Sequence, residues 1–378
     1  MATLQRTLLI LGLLTGASAG AGHLAGSRCS EVSFAVPVSS ENVVFGSPPD
    51  PHNDTAIVEF MLDVWRGLPA NTTGTTTVTG NFTVNGLYCE PRGQKRKADT
   101  LEVLVHGITY NKTMWSGMGF GSPYDWLAYA NSRGYAALSI DRVGHGTNPE
   151  RPDPLNVVQP QLHVETLHYL FNAARSGHNR AFGGRNFDKV VFVGHSYGCF
   201  LGTALASQHP GDADAMVLTG FATTIDFSDV TNAQWAGAAH VMPQRFAGVP
   251  LGYVALVQQA QRTASFYAGA YDPAIPPVDF AYEDTLSCGE VGALGSILQP
   301  AAGYANPVLV VTAVDDAFFC KPPKATCEGI LATSASYFPN VTDYSYFAPE
   351  NTGHDLTLHY SAPATFKQVH DWLDQRTR

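Results

Sequence analysis

A serine within Gly194-His195-Ser196-Tyr197-Gly198 has the surroundings of a catalytic nucleophile. The nearly all-apolar run 189–193 before it predicts a strand, and the residues from Tyr197 to near Pro210 predict a helix. Such a strained strand-to-helix turn lifts the serine hydroxyl above a sheet, and glycines two residues away on either side avoid clashes with neighbouring backbone. The helix N-terminus behind the serine favours negative charge. We therefore predict that Ser196 is a nucleophile.

A serine hydroxyl becomes a good nucleophile only when a base accepts its proton, so a histidine and an orienting carboxylate are expected later in the chain. Asp315 and Asp316 follow the apolar run Val308–Val311, which predicts a strand. We favour Asp316 because it comes three residues after a small residue, Ala313, and Asp315 remains the alternative. The aspartate that is not catalytic would suit a helix N-cap.

The predicted base is His354, which follows a glycine on a loop after the predicted last strand, 343–347. Its position completes the chain order serine, aspartate, histidine. His359 is the competing candidate, although it lies where the chain turns into the next segment. The sequence predicts surface or cap positions for three other histidines, His163, His168 and His240.

Backbone amides are expected to receive the oxyanion that forms when Ser196 attacks a carbonyl. One predicted donor is the amide of Tyr197. The other is the amide of Ile108, on the loop after the first predicted parallel strand, where Gly107 keeps the backbone open to substrate. Tyr110, on the same loop, is predicted to bind substrate, either through its hydroxyl or as part of the pocket wall.

The segment from Asp141 to Gly146 follows the second predicted parallel strand and has the composition of a structural turn beside the pocket. Asp141 and His145 could begin a metal site, but no further ligands occur at metal-binding spacing, so no metal is predicted. No Gly-x-Gly-x-x-Gly or Walker sequence lies between a strand and a helix, which argues against a nucleotide cofactor. We predict a protein without a cofactor.

Apolar runs of strand length alternate with helix-length amphipathic segments from residue 100 onward, which predicts a doubly wound, mostly parallel α/β sheet. Before them, the alternation of threonine and valine in 75–88, with Asn85-Gly86, predicts an antiparallel hairpin. The strand pattern lapses in 222–305, an aromatic-rich segment too long for a plain loop and therefore predicted to be a helical cap. The core would then comprise 20–221 and 306–378. The remaining predicted elements are strands 100–105, 135–140 and 215–218 and helices 123–133 and 159–175.

Composition limits the classes of function that need be considered. The chain has 378 residues, of which 45% are hydrophobic and 14% charged, so it can bury a full core, and this composition argues against global disorder. The net charge of -10 argues against a nucleic-acid partner, and the isolated basic cluster 92–97 is best explained as a solvated loop. The oligomeric state is left open.

The first nineteen residues predict a secretory signal peptide: Arg6 gives a positive start, 8–14 is a short apolar run, and Ala17-Ser18-Ala19 suits cleavage after Ala19. That run is too short for stable membrane insertion, and no later stretch predicts a spanning helix. Export would allow disulfides and glycans, with Cys29–Cys89 and Cys320–Cys327 as the proposed pairs, Cys199 free and Cys288 unassigned. The candidate glycosylation sites are Asn53, Asn71, Asn81, Asn111 and Asn340.

Taken together, the His106-Gly107 loop, the 141–146 turn, the 194–198 elbow, Asp316 and His354 resemble the α/β-hydrolase superfamily over nearly all of the predicted mature chain. The signal peptide and sequons resemble a secreted, fungal-type branch with a cap. The resemblance implies that Ser196, His354 and Asp316 hydrolyse an ester or lactone of a hydrophobic small molecule. Alternatives on the same residues are carbon–carbon bond hydrolysis and a cofactor-free haloperoxidase, and a different class is a non-catalytic binding protein.

Overall fold

The computed structural model describes residues 27–91, 99–177, 179–320 and 327–377. The predicted signal peptide, 1–19, and the basic cluster 92–97 lie outside these residues. The strands are β1 (Ser27–Phe45), β2 (Thr72–Pro91), β3 (Thr100–Val105), β4 (Ala136–Ile140), β5 (Lys189–His195), β6 (Ala215–Thr219), β7 (Trp235–Gly237), β8 (Tyr253–Leu256), β9 (Leu286–Ser287), β10 (Val308–Val311) and β11 (Tyr344–Phe347). The α-helices are α1 (Asp54–Trp65), α2 (Trp126–Arg133), α3 (Pro160–Ser176), α4 (Tyr197–Gln208), α5 (Ser228–Asn232), α6 (Ala238–Val241), α7 (Pro243–Phe246), α8 (Gln259–Phe266), α9 (Ile275–Ala281), α10 (Cys288–Gly292), α11 (Cys327–Thr333) and α12 (Ala362–Asp374).

An eight-stranded sheet organises the protein, in the order β1-β2-β4-β3-β5-β6-β10-β11. The strands from β4 to β11 in this order pair in parallel, whereas β1 and β2 are antiparallel. Every residue of β3, β4, β6 and β10 is buried, as expected for strands covered on both faces. The predicted doubly wound α/β fold is confirmed. Because parallel strands end at one edge, the loops after β3, β5, β10 and β11 meet there.

The N-terminal antiparallel strands correct one prediction. Residues 75–88 form no hairpin of their own, because they lie within the single long strand β2, which pairs along its length with β1. Asn85-Gly86 is not a turn: Gly86 pairs with Val32 on one side and Ile140 on the other. A Cβ there would lie 2.9 Å from the Ser139 carbonyl oxygen, so the glycine allows close strand approach.

Most predicted helices are confirmed within a few residues, and α2 shows why one boundary moved. The sequence predicts a helix from Pro123, but that proline lies in a separate 3-10 turn, Ser122–Tyr124. The α-helix begins at Trp126 because the Asp125 side chain accepts a hydrogen bond from the Ala128 amide at 2.8 Å and caps it.

The segment 222–305 contains more than helices. Six short helices, α5 to α10, accompany the antiparallel sheet β7-β8-β9. Its strands have two to four residues, too few for a period-two pattern to distinguish them from buried helix. Helix α1 packs against this segment, since the Trp65 and Trp235 rings lie 5.3 Å apart and the Asp54 carboxylate accepts the Gly237 amide.

Two disulfides join the predicted pairs, Cys29–Cys89 across β1 and β2 and Cys320–Cys327 around the start of α11. Cys199 and Cys288 are free and buried. Burial raises the pKa of both thiols, that of Cys288 to about 12, so neither has the thiolate character of a reactive cysteine. Within the described ranges, no helix combines the length and apolar character needed to cross a membrane.

Candidate active site

Ser196 occupies the turn between β5 and α4, with φ 52° and ψ -118°, a conformation that a non-glycine residue rarely adopts. Its amide donates to the Thr219 carbonyl at 2.9 Å, and its carbonyl accepts the Cys199 amide at 2.8 Å. A Cβ on Gly198 would lie 2.4 Å from the Val105 carbonyl oxygen, so only glycine permits this approach of α4 to β3. The structure therefore has the strained strand-to-helix turn that the sequence predicts.

His354 and Asp316 are in direct contact, with 2.7 Å between Nδ1 of the imidazole and Oδ2 of the carboxylate. Both side chains are buried. The other oxygen of Asp316 accepts the amides of Phe318 and Phe319 at 2.9 and 3.1 Å, which fixes the carboxylate. Asp315, the alternative acid, is half-buried, and the structure places Asp316 rather than Asp315 on the imidazole.

The free edge of His354 is surrounded by aromatic rings and belongs to a cavity that Ser196 also lines. Its Nε2 atom is buried and has no hydrogen-bond partner among the described residues. The rings of Phe318, Phe266 and Phe319 surround the imidazole at centroid distances of 4.6, 5.6 and 5.7 Å. Because Ser196 and His354 line the same cavity, this nitrogen is available to accept a proton there.

His359 supports the loop that carries His354. Its Nε2 accepts the Gly353 amide at 3.0 Å, and Nδ1 donates to the Asp355 carbonyl at 2.7 Å, which requires the neutral ring. Burial lowers the pKa of His359, in agreement with that tautomer. Both ring nitrogens of His359 therefore have backbone hydrogen-bond partners, so this competing candidate has no free nitrogen with which to act as the base.

The loop after β3 is held by the 141–146 turn. The Arg142 amide donates to Nε2 of His106 at 3.1 Å, and Nη2 of Arg142 donates to the Gly107 carbonyl at 3.1 Å. The same guanidinium lies 4.7 Å from the centre of the Tyr197 ring. Arg142 thus contacts both segments whose amides, those of Ile108 and Tyr197, are the predicted oxyanion donors. Tyr197 is the first residue of α4, where an amide has no acceptor within the helix.

Of the loop residues, Ile108 lines the cavity, and Gly107 and Tyr110 do not. The Tyr110 hydroxyl is buried and donates to Asp355 at 2.9 Å, with Asp279 at 3.4 Å. This places Tyr110 in an internal network instead of the predicted contact with substrate. Reasoning from sequence could not find this, because Asp279 lies 169 residues away.

Asp141 and His145 do not share a site. Asp141 binds the Lys112 ammonium group at 2.8 Å and the Thr147 amide, whereas Nδ1 of His145 contacts the hydroxyl of Thr285 at 3.0 Å. The 141–146 segment is therefore a structural turn, as predicted.

His145 belongs to a buried group with His163 and Glu290, whose ligand atoms lie within 4.8 Å of one another. The guanidinium of Arg142 forms an ion pair with the same Glu290 carboxylate. Burial and the positive charge of Arg142 lower the pKa of both histidines, and the same charge would oppose a metal cation. The group is a buried ion pair between neutral imidazoles, and it does not fit a metal centre.

His163 corrects another prediction. It was expected at the surface or in the cap, but it lies on the buried face of α3 with only 2% of its surface exposed. His168 and His240 have side chains that are 38% and 60% exposed, as predicted. His163 is buried because its Nε2 contacts the Glu290 carboxylate at 3.1 Å and its ring lies beside those of His145 and Tyr197.

A buried network that the sequence did not reveal adjoins the loop that carries His354. Arg262 forms two hydrogen bonds with Asp279, at 2.8 and 2.9 Å, and lies 3.7 Å from Glu283. Burial raises the pKa of Glu283 to about 8, with Arg262 opposing the rise, and burial with Asp279 raises that of Asp355 to about 6. Asp355 directly follows His354, so this network adjoins the candidate base.

Four of the five sequon asparagines, Asn53, Asn71, Asn81 and Asn340, are exposed. Asn111 is half-buried, and its side-chain nitrogen donates to the buried Asp284 carboxylate at 3.0 Å. A glycan on that nitrogen would displace this hydrogen bond.

Two cavities adjoin at the sheet edge. The inner cavity, of about 50 Å³, is lined by Ser196, His354, Ile108 and Tyr197 together with mostly apolar side chains. The outer cavity, of about 360 Å³, has a mixed polar and aromatic lining and reaches α1 and α11.

Comparison with known proteins gives matches of fold and of partial sequence. The chain is 26% identical over 131 residues to the plant protein named "Probable lysophospholipase BODYGUARD 2" from Arabidopsis thaliana, a match of 34% of this chain and 24% of that protein. The chain therefore spans about a quarter of the length of this relative.

Two solved structures have similar folds. One is described as an aryl esterase from Burkholderia cenocepacia, with a TM-score of 0.51, 15% identity and coverage of 78% of this chain and 95% of that one. The other is a bromoperoxidase from Bacillus anthracis, with a TM-score of 0.51, 13% identity and coverage of 78% and 96%. At these identities the likeness is one of fold. The sequence model described as "Alpha/beta hydrolase family" matches residues 103–369, well over half of the chain. This protein belongs to the Alpha/beta hydrolase family.

Proposed function

We propose that this protein is a serine hydrolase that cleaves a carboxylic ester or lactone of a hydrophobic small molecule, with Ser196, His354 and Asp316 as its catalytic residues. The observation that carries the proposal is the 2.7 Å contact between Asp316 and Nδ1 of His354, combined with a buried, unpartnered Nε2 in the cavity that Ser196 lines. A base oriented by a carboxylate next to a serine on a strained turn is the arrangement that acyl transfer requires.

The first half of the reaction forms an acyl-enzyme. Oγ of Ser196 bonds to the ester carbonyl carbon while its proton passes to Nε2 of His354, and the amides of Ile108 and Tyr197 stabilise the oxyanion. When the carbon–oxygen bond to the alcohol breaks, His354 gives that proton to the departing oxygen. Asp316 keeps the imidazole in its reactive tautomer and stabilises its positive charge.

The second half releases the acid. Water gives a proton to Nε2 of His354 and adds to the acyl carbon, the bond to Ser196 breaks, and the serine oxygen recovers the proton. The lining of the inner cavity favours an apolar acyl group. As part of the same proposal, 222–305 acts as a cap, since Val230, Phe266 and Leu286 from that segment line the cavity. Secretion after removal of 1–19 also belongs to this proposal.

The test uses the neighbouring aspartates as a matched pair. Asp316→Asn should lower kcat for a 4-nitrophenyl ester by about 10³–10⁴-fold, because the imidazole loses its orienting carboxylate. Asp315→Asn should keep kcat within two-fold of the wild type. Wild-type protein should also react with a fluorophosphonate at Ser196, which peptide mass spectrometry identifies, and Ser196→Ala should not. Equal activity of both asparagine variants, or no labelling of folded protein, contradicts the proposal.

A further inference from the structure

The Cys320–Cys327 disulfide adjoins the turn that carries Asp316. This turn follows β10, and Cys320 lies at its far end. The Cys320 amide donates to the Asp316 carbonyl at 3.0 Å, and the Asp316 amide donates to the Ala313 carbonyl at 3.2 Å. Cys320 therefore closes the backbone turn in which Asp316 lies.

The orientation of the Asp316 carboxylate depends on this turn. Its Oδ1 accepts the amides of Phe318 and Phe319 at 2.9 and 3.1 Å, and its Oδ2 contacts Nδ1 of His354 at 2.7 Å. Since both amides belong to the turn, a displacement of the turn would move the carboxylate away from the imidazole. The contact between acid and base therefore requires that the turn be fixed.

The second cysteine belongs to an element that is anchored in the fold. Cys327 begins α11, and its Sγ lies 3.6 Å from the carbonyl oxygens of Thr312 and Ala313 at the end of β10. Further along the helix, Leu331 is fully buried, and its carbonyl accepts the Tyr344 hydroxyl of β11 at 2.7 Å. Helix α11 is thus held on the sheet by contacts other than the disulfide.

The two disulfides of the protein enclose chain segments of very different length. Cys29 and Cys89 are 60 residues apart, whereas Cys320 and Cys327 are seven apart. A cross-link stabilises a fold largely by restricting the unfolded chain, and this restriction grows with the length of the enclosed segment. The Cys320–Cys327 bond should therefore stabilise the fold less than the Cys29–Cys89 bond does, although it lies next to Asp316.

We propose that the Cys320–Cys327 disulfide is a positioning device for catalysis, which holds the Asp316 carboxylate against His354 by joining the Asp316 turn to α11. This inference rests on the proposed ester hydrolysis, in which Asp316 orients the imidazole. Neither cysteine lines the cavity that contains Ser196, so the bond acts through Asp316 and not by contact with substrate.

The first test compares removal of the two disulfides. Cys320→Ala with Cys327→Ala should lower kcat for 4-nitrophenyl acetate about ten-fold or more, because a displacement of about 1 Å near a catalytic group can cost on the order of 100-fold in rate. The matched control, Cys29→Ala with Cys89→Ala, should keep kcat within about two-fold of the wild type. Urea unfolding should give the opposite order, with the larger loss of unfolding free energy in the control.

The second test asks whether the bond acts through Asp316. In protein that already carries Asp316→Asn, the alanine pair at Cys320 and Cys327 should change kcat by less than about two-fold, because the carboxylate that the bond positions is absent. A bond that only maintained the shape of the cavity would lower kcat by the same factor in both backgrounds.

A second pair of substitutions guards against effects of alanine itself. Cys320→Ser with Cys327→Ser breaks the same bond with side chains of similar size and should reproduce the loss of kcat. Far-UV circular dichroism checks folding. A smaller loss of kcat than expected in folded protein, an equal loss in the Asp316→Asn background, or a loss of stability larger than that of the control overturns the inference. Failure of both pairs to fold, while the control folds, would make the bond a requirement for folding and overturns it as well.

The proposed function fails separately from this inference. If wild-type protein neither hydrolyses 4-nitrophenyl esters nor reacts with a fluorophosphonate at Ser196, ester hydrolysis is rejected and the inference with it. Wild-type activity that persists without the Cys320–Cys327 bond rejects the inference alone.

Discussion

Two buried charged groups connect the segment 222–305 to the core near the candidate active site, and they differ in charge balance. In the first group, Arg142 pairs with Glu290 between His145 and His163, whose imidazoles burial keeps neutral. In the second group, Arg262 belongs to a network with three carboxylates, those of Asp279, Glu283 and Asp355. The Arg142–Glu290 pair has no net charge when both side chains are ionised, whereas the Arg262 network has more carboxyl groups than cations.

The difference means that the two connections should respond differently to pH. Burial lowers the pKa of Arg142 only to about 10, so its ion pair persists across the range in which proteins are usually studied. In the network, the raised pKa values of Glu283 and Asp355, about 8 and about 6, lie inside that range. The stabilisation from the Arg142–Glu290 pair should therefore not change over this range, whereas that from the Arg262 network should weaken as pH rises.

The largest effect is expected from breaking the balanced pair. Glu290→Gln keeps an acceptor for the Ser287 amide but leaves Arg142 buried without a counter-charge. Such a change costs about 3–5 kcal/mol of unfolding free energy. Urea unfolding followed by tryptophan fluorescence measures this loss of unfolding free energy. The control is Glu59→Gln, an exposed glutamate that also contacts an arginine, and it should leave the midpoint of urea unfolding unchanged. A loss for Glu290→Gln no larger than for Glu59→Gln would show that the pair does not stabilise the fold.

Replacing Arg142 and Glu290 together tests whether the pair affects catalysis separately from stability. Arg142→Met with Glu290→Met removes both buried charges together, so the double variant should recover most of the stability lost by Glu290→Gln. The Gly107 carbonyl still loses its contact with Arg142 at 3.1 Å, and kcat should fall about ten-fold or more as the oxyanion loop loses its support, with KM little changed. A stable double variant with wild-type kcat would contradict the role of Arg142 in positioning this loop.

A smaller effect, and one that depends on pH, is expected from the acidic network. The folded protein holds the proton of Glu283 up to about pH 8, whereas the ordinary pKa is 4.5, so stability is greatest at low pH and falls as pH rises between these values. Asp355 acts in the same direction between 3.8 and about 6. Glu283→Gln should therefore match the wild type near pH 5 and exceed its stability at pH 8 by on the order of 3 kcal/mol.

Urea unfolding at several pH values between 4 and 8 measures this slope. The control is Glu328→Gln on the exposed side of α11, which should keep the wild-type slope. If Glu283→Gln shows the same decline with pH as the wild type, the network does not make the connection pH-sensitive.

The sequence predicts what is encoded in short, continuous patterns. The turn at Ser196 follows from glycines and apolar runs within about ten residues, and the doubly wound, mostly parallel class of the sheet follows from the alternation of strand-length and helix-length segments. The preference for Asp316 also depended on local spacing. For these features the neighbouring residues are enough to specify the backbone.

The two charged groups escaped prediction because their members are brought together only by the fold. Arg142 and Glu290 are 148 residues apart, and Tyr110 and Asp355 are 245 residues apart. No local pattern distinguishes Glu290, at the start of a five-residue helix, from a solvated acid. The sequence did not predict the burial of His163 for the same reason, since its partner Glu290 lies 127 residues away along the chain.

The smallest effect is expected from the Tyr110 hydroxyl, which donates to Asp355 at 2.9 Å. Tyr110→Phe should cost about 1 kcal/mol at pH 8, where Asp355 is charged and loses a donor, and less at pH 5, where its acid form is favoured. Tyr304→Phe is the matched control, because that buried hydroxyl has no hydrogen-bond partner among the described residues, and it should be neutral or slightly stabilising. Urea unfolding at both pH values checks the pair. An equal loss for Tyr110→Phe at pH 5 and pH 8 would mean that its hydroxyl does not respond to the charge of Asp355, and the contrast between the two buried groups would then rest on Glu283 alone.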